Sequence, residues 1–67
     1  MTRKTNAVKS ERILDVAEEL FARHGYDGVT MRQISTGAKV DVALATYHFG
    51  KKLDVFSAVF NRRAEHL

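Results

Sequence analysis

The sequence contains no cysteine and no proline. The first absence rules out a disulfide framework and a thiolate metal site, and makes a reducing cytoplasm the expected location. The second leaves every position open to helix, since proline alone combines a missing N–H with a ring that clashes one turn back. Long apolar runs are missing too. The longest is Val42-Ala43-Leu44-Ala45, far short of a signal-peptide core or a membrane span, so the chain is expected to be neither exported nor membrane-embedded. Metal ligands are sparse as well: His24, His48 and His66 are dispersed and no HExxH pattern joins them, so neither a metal nor a cofactor is expected.

What remains is a short chain, 67 residues of which 45% are hydrophobic. That length fits one domain with a modest core, because small chains bury a smaller share of their surface. The net charge of +3 is unevenly spread. Residues 1–12 carry Arg3, Lys4, Lys9 and Arg12 against Glu11; residues 13–31 carry Asp15, Glu18, Glu19 and Asp27 against Arg23. Residues 32–52 turn basic again with Arg32, Lys39, Lys51 and Lys52 against Asp41, and the last fifteen balance. If the two basic blocks fold onto one side, that side attracts phosphate and the acidic block faces away. The same blocks also fit solvated faces on ordinary helices.

The periodicities predict an all-α chain. Residues 1–9 lack a hydrophobic period and are expected to form a flexible basic arm that can fray into the first helix from about Ala7. From Ser10, Ile13, Leu14, Ala17, Leu20 and Phe21 recur on one helical face, and Gly25 follows Arg23 and His24 as a C-terminal stop. Thr30 with Gln33 three positions later forms a capping box for a second, two-turn helix ending near Thr36 or Ala38. Residues 37–40 make the next connection. Asp41 is placed to cap a third helix with Ala45 and Phe49 inward and Val42, Leu44, Thr46 and Tyr47 partly outward, ending at Gly50. Leu53, Phe56, Val59, Phe60 and Ala64 then carry a fourth stripe. It runs to residue 67 with no stop signal, so a larger parent protein is expected.

Two short helices joined by a tight turn and flanked by longer ones can place the second short helix in the major groove of DNA. Residues 30–49 have this layout. Groove chemistry calls for small apolar groups that meet thymine methyls, hydroxyls that donate or accept, and cations for the phosphates on both rims. Val42, Ala43, Leu44 and Thr46 supply the first two; Arg32, Lys51 and Lys52 supply the cations, and Tyr47 and His48 carry donors that reach phosphate.

Arg12-Ile13-Leu14, Ala17, Leu20-Phe21, Gly25-Tyr26, Thr30, Ile34-Ser35, Ala38 and Tyr47-His48-Phe49-Gly50-Lys51-Lys52 closely resemble the TetR family of repressors, over about residues 10–60. The resemblance implies a three-helix helix-turn-helix head, residues 10–50, leading into the start of a connecting fourth helix, residues 51–67. It implies a dimer formed through a C-terminal domain not contained here, a small-molecule inducer bound in that domain, and double-stranded DNA with a palindromic operator as partner. By position, Thr30 and Arg32 fall at the start of the positioning helix, touching phosphate or a base edge. Val42, Ala43, Leu44 and Thr46 fall on the base-reading face, and Tyr47, His48 and Lys52 at phosphate contacts. Two residues depart from the family's pattern. Lys39 stands where a glycine follows the alanine of the turn, so that either Gly37 serves the turn or Lys39 accepts a strained backbone. Ala45 stands where a large aliphatic residue is usual, which predicts thin packing under the third helix.

Other functions fit less well. Phe21, Tyr26, Phe49, Phe56 and Phe60 lie at helical spacing, which favours a core over a base-stacking platform. Asp15, Glu18 and Glu19 share a helical turn, but without a nucleophile or phosphate loop they read as solvated surface, and no enzyme is expected. A helical protein-interaction module on the same fold stays open. Salt separates it from DNA binding, since phosphate neutralisation makes affinity fall steeply with ionic strength.

Overall fold

A computed structural model of the chain describes residues 2–65, with side chains from Lys9 onward. Four helices follow in order: α1 (Thr2–His24), α2 (Met31–Ala38), α3 (Val42–Phe49) and α4 (Lys52–Glu65). Ile13, Ala17 and Phe21 of α1, Val29 of the first connection, Ile34 and Ala38 of α2, Ala45 of α3, and Val55 and Val59 of α4 close into one core. Helix α1 packs most widely, on α2 and α4, and α3 rests chiefly on α2. The fold is all-α, and α2, the short connection and α3 form the helix-turn-helix.

The helix boundaries follow from local chemistry. Gly25 ends α1 at φ 77°, donating its N–H to the Phe21 carbonyl at 2.9 Å. Thr30 starts α2 as expected: its hydroxyl oxygen accepts from the Gln33 N–H at 3.1 Å, while the Gln33 side chain accepts from the Thr30 N–H at 2.9 Å. The box satisfies two of the amide groups that a helix start leaves without partners. Asp41 departs from expectation. Its backbone carbonyl accepts from Leu44 and Ala45, but its side chain makes no capping bond to α3.

Helix α1 extends further than the hydrophobic pattern indicates. Its backbone is helical from Thr2, eight residues before Ser10 and five before Ala7. Neither proline nor glycine interrupts residues 1–24, and once a helix is nucleated by a packed segment each further residue adds a hydrogen bond at small cost.

The turn between α2 and α3 answers the question raised by Lys39. Lys39 adopts the left-handed conformation, φ 60° and ψ 44°. Its N–H reaches the Thr36 carbonyl at 3.1 Å, and the Val40 N–H reaches the Ser35 carbonyl at 3.0 Å. This pair of bonds is the Schellman closure, usually built on glycine. Gly37 lies inside α2 instead. A Cβ there would stand 2.7 Å from Cγ1 of Val16, so the missing side chain is what lets α1 and α2 approach. The connection is therefore residues 39–41, with Gly37 serving helix packing.

Helix α4 buries Val59 as expected, but pairs it with Val55 and not with Leu53 or Phe60. Val55 and Val59 are inside, whereas Leu53 and Phe60 are 60% and 67% exposed. Phe56 lies between: its ring meets those of Phe21 and Tyr26 edge to face, each at 5.2 Å, yet it remains 37% exposed. Phe60 is thus not core. Val55 and Val59 are four apart and share a face, and burying that pair turns Leu53 and Phe60 away from the bundle. Of the acidic residues of α1, Asp15 and Glu19 are exposed as expected, whereas Glu18 is half-buried. Arg62 bridges Asp15 at 2.8 Å and Glu18 at 2.6 Å, and Arg63 also bonds Glu18.

Candidate nucleic-acid interface

Helix α3 has one committed face and one free face. Ala45 is fully buried and Phe49 packs against the core. Residues 100° further round the helix are free: Val42 and Thr46 form one exposed row, Ala43 and Tyr47 the next, and Tyr47 is 85% exposed. The fold thus presents small apolar groups, a hydroxyl and a phenol on one surface that it does not itself use. Leu44 and His48 are half-buried at the flank of this face, so they meet an incoming surface only with their outer edges.

The expected phosphate contacts sit differently from one another. Thr30 and Arg32 are exposed at the first turn of α2. The Thr30 oxygen is engaged in capping, which leaves its hydroxyl hydrogen as a donor to a partner. Lys51 is exposed, and its N–H is bonded by the Asp54 carboxylate at 2.8 Å. Lys52 is half-buried and bonded inward: its ammonium donates to the Tyr26 carbonyl at 2.8 Å and lies 4.1 Å from the centre of the Tyr26 ring. It ties the start of α4 to the first connection, keeping further N–H donors for an anion.

At the other end of α3 a polar cleft of about 370 Å³ is lined by Lys9, Lys39, Val40, Asp41 and Leu44. Neither lysine was among the contacts drawn from the sequence. Their signal was the charge of the two basic blocks, but only the bundle brings residue 9 to residue 39. Two members of the acidic block lie elsewhere, Asp15 and Glu18, bridged by Arg62 and Arg63 between α1 and α4. There Glu18 has its carboxyl held below the ordinary value by the hydrogen bonds of Arg63 and Arg62. Burial disfavours the charge of Arg62, but the hydrogen bonds it donates to Asp15 and Glu18 outweigh this and raise its pKa.

Among the described residues no group of three metal-ligating side chains converges, and no helix is long and apolar enough to cross a membrane. His66 lies outside the described residues.

Residues 13–59 match the family model described as bacterial regulatory proteins, tetR family. The chain belongs to the TetR family. Among curated TetR relatives, it is 39% identical to the transcriptional regulator SrpR of Pseudomonas putida, over all of this chain and 33% of that protein. It is 32% identical to the transcriptional repressor AcnR of Corynebacterium glutamicum, over 85% of this chain and 30% of that one. The crystal structure of HlyIIR, a hemolysin II transcriptional regulator, superimposes with a TM-score of 0.80 at 36% identity, covering 84% of this chain and 31% of that one. The chain spans about a third of the length of these relatives. It holds the DNA-binding domain of a TetR-family transcriptional regulator; such regulators bind DNA and are not enzymes.

Proposed function

We propose that this domain reads a palindromic operator through α3, as one half of a homodimer that represses transcription and is released by a small-molecule inducer in the cytoplasm. The observation that carries it is the free face of α3, where Val42, Ala43, Thr46 and Tyr47 stand exposed between basic flanks. Base edges are met by Val42, Ala43, Thr46 and the outer edge of Leu44, because methyl and hydroxyl groups discriminate thymine methyls and groove acceptors. Tyr47, His48, Lys51 and Lys52 hold the phosphates beyond one end of α3, and Thr30 and Arg32 hold those met by α2. In domain terms, residues 1–9 are a basic flank that adds charge, residues 10–50 the reading head, and residues 51–67 the start of the helix leading to a dimerising, inducer-binding domain.

Repression is supported by the likeness to AcnR, named a transcriptional repressor, and dimerisation by the small footprint of a single head. Two heads held one DNA turn apart, about 34–36 Å, make the second contact nearly intramolecular. Selection of bound duplexes from a random pool by the full-length protein tests this directly. A two-fold symmetric motif is expected. Recovery of no motif, or of an asymmetric one, overturns the symmetric assembly, and binding that does not weaken with salt overturns DNA as the ligand.

A further inference from the structure

We propose that Lys39 and Lys9 form an accessory phosphate clamp at the N-terminal end of α3, gripping the DNA backbone on the rim opposite Lys51 and Lys52. The clamp rests on the α3-in-groove orientation proposed above and adds two residues to it.

Three observations converge on this cleft. First, Lys39 holds a left-handed backbone, φ 60°, in a Schellman turn that glycine fills without strain. A side chain kept at such a position costs stability, and strained positions cluster where a side chain is used. Second, Lys9 reaches the same cleft from α1, thirty residues earlier in the chain. Neither lysine is ion-paired with a described residue, so both charges are available. Third, the cleft also contains Leu44, on the flank of the exposed α3 face. A groove-bound α3 therefore carries the two ammonium groups beside the DNA strand.

Asp41 lines the cleft too, and its carboxylate opposes a phosphate. Two lysines against one aspartate leave the cleft net positive. Because the Asp41 side chain makes no capping bond, it is free to turn away. A clamp of this kind positions the protein without reading sequence. Its charges set the salt dependence, about 0.9 in slope for each phosphate neutralised.

The test uses the chain itself and a duplex of random sequence, with affinity measured by fluorescence anisotropy from about 50 to about 200 mM salt. Five variants are compared with wild type: Lys39→Gln, Lys39→Gly, Lys39→Arg, Lys9→Gln and, as a control on the α3 orientation, Tyr47→Ala. Lys39→Gln and Lys9→Gln are each expected to weaken binding roughly five- to ten-fold at about 0.1 M salt and to lower the salt slope by about one. Lys39→Arg should retain both. Lys39→Gly separates folding from binding: its melting temperature should rise as the turn relaxes, while its affinity falls like that of Lys39→Gln. Wild-type affinity and slope in Lys39→Gln and Lys39→Gly would overturn the role of Lys39, and the same result in Lys9→Gln would remove Lys9. If Tyr47→Ala weakens binding while the lysine variants do not, the clamp fails and the α3 orientation stands. If wild type shows no salt-dependent binding, both fail together.

Discussion

At the scale of single residues, Lys39 takes the left-handed turn position, the second of the two alternatives the sequence left open, and Gly37 is freed for helix packing. Gly37 lies in α2 because a Cβ would stand 2.7 Å from the Val16 side chain, a contact that must be relieved by moving one helix or the other. Gly37→Ala is therefore expected to destabilise the domain by about 1–3 kcal/mol, the usual cost of overpacking. Adding Val16→Ala should recover part of the loss, and a denaturant titration of the two variants and their combination measures it. If the two changes simply add, the α1–α2 approach is not the reason for the glycine. Lys52 has a second duty as well. Its ammonium bonds the Tyr26 carbonyl and sits over the ring, a cation–π contact worth about 0.5–2 kcal/mol. Lys52→Ala should lower the melting temperature as well as DNA affinity, whereas Lys51→Ala, at an exposed site, should lower affinity alone. Equal melting temperatures for Lys52→Ala and wild type would show that the lysine serves only DNA.

At the scale of elements, α3 is governed by four consecutive apolar residues in a helix of two turns. Val42-Ala43-Leu44-Ala45 cannot all face inward, since successive residues are turned by about 100°, and the bundle takes Ala45 as its buried member. Leu44 is left half-buried at the boundary. Leu44→Ala is expected to change base preference at one or two base pairs per half-site, each worth about 1–3 kcal/mol, and to leave the domain folded. Tyr47→Ala should instead weaken binding to all duplexes alike, without a change in melting temperature, because the side chain is 85% exposed and phosphates carry no sequence. Repeating the duplex selection with each variant distinguishes them. Unfolding of Leu44→Ala would place this leucine in the core and rotate the reading face. Helix α4 shows how such rotations arise: of the five apolar residues at plausible spacing in the sequence the core accepted Val59 as its buried member, together with Val55 from outside that stripe.

At the scale of the whole molecule, α4 is fastened to the rest at both ends. Lys52 binds the first connection, and Arg62 and Arg63 grip Asp15 and Glu18 of α1. Glu18 has its pKa lowered from 4.5 by the two arginines, so its carboxylate binds protons less readily folded than unfolded. The stability it contributes is present above about pH 4.5 and is lost as pH falls through the lower, folded value. Glu18→Gln should flatten the acid limb of a stability-against-pH curve, and an unchanged limb would assign acid sensitivity to other groups. Assembly is the second whole-molecule expectation. Because a single head makes only one set of groove contacts, the 67-residue chain is expected to be a monomer. It should bind DNA in the range of about 10⁻⁴–10⁻⁶ M typical of non-specific contacts. Sedimentation together with duplex titration checks both, and a stable dimer or nanomolar binding would place a dimer interface within these residues, with the exposed Leu53 and Phe60 of α4 the first surface to mutate.

Local chemistry alone determined the all-α class, the Thr30–Gln33 start of α2, the stops at Gly25 and Gly50, and the segment that becomes α3, because caps and apolar periods act within a few residues. The helix-turn-helix layout and the family resemblance were legible for the same reason, being carried by short strings of neighbouring residues. Only tertiary packing decided which apolar residues of α3 and α4 are buried, since several registers satisfy one period and the facing helix selects among them. It also decided that Asp15 and Glu18 meet Arg62 and Arg63, that Lys52 turns to Tyr26, and that Lys9 arrives beside Lys39. These pairs are separated by 26 to 47 residues in the chain, and no local propensity carries information over that distance.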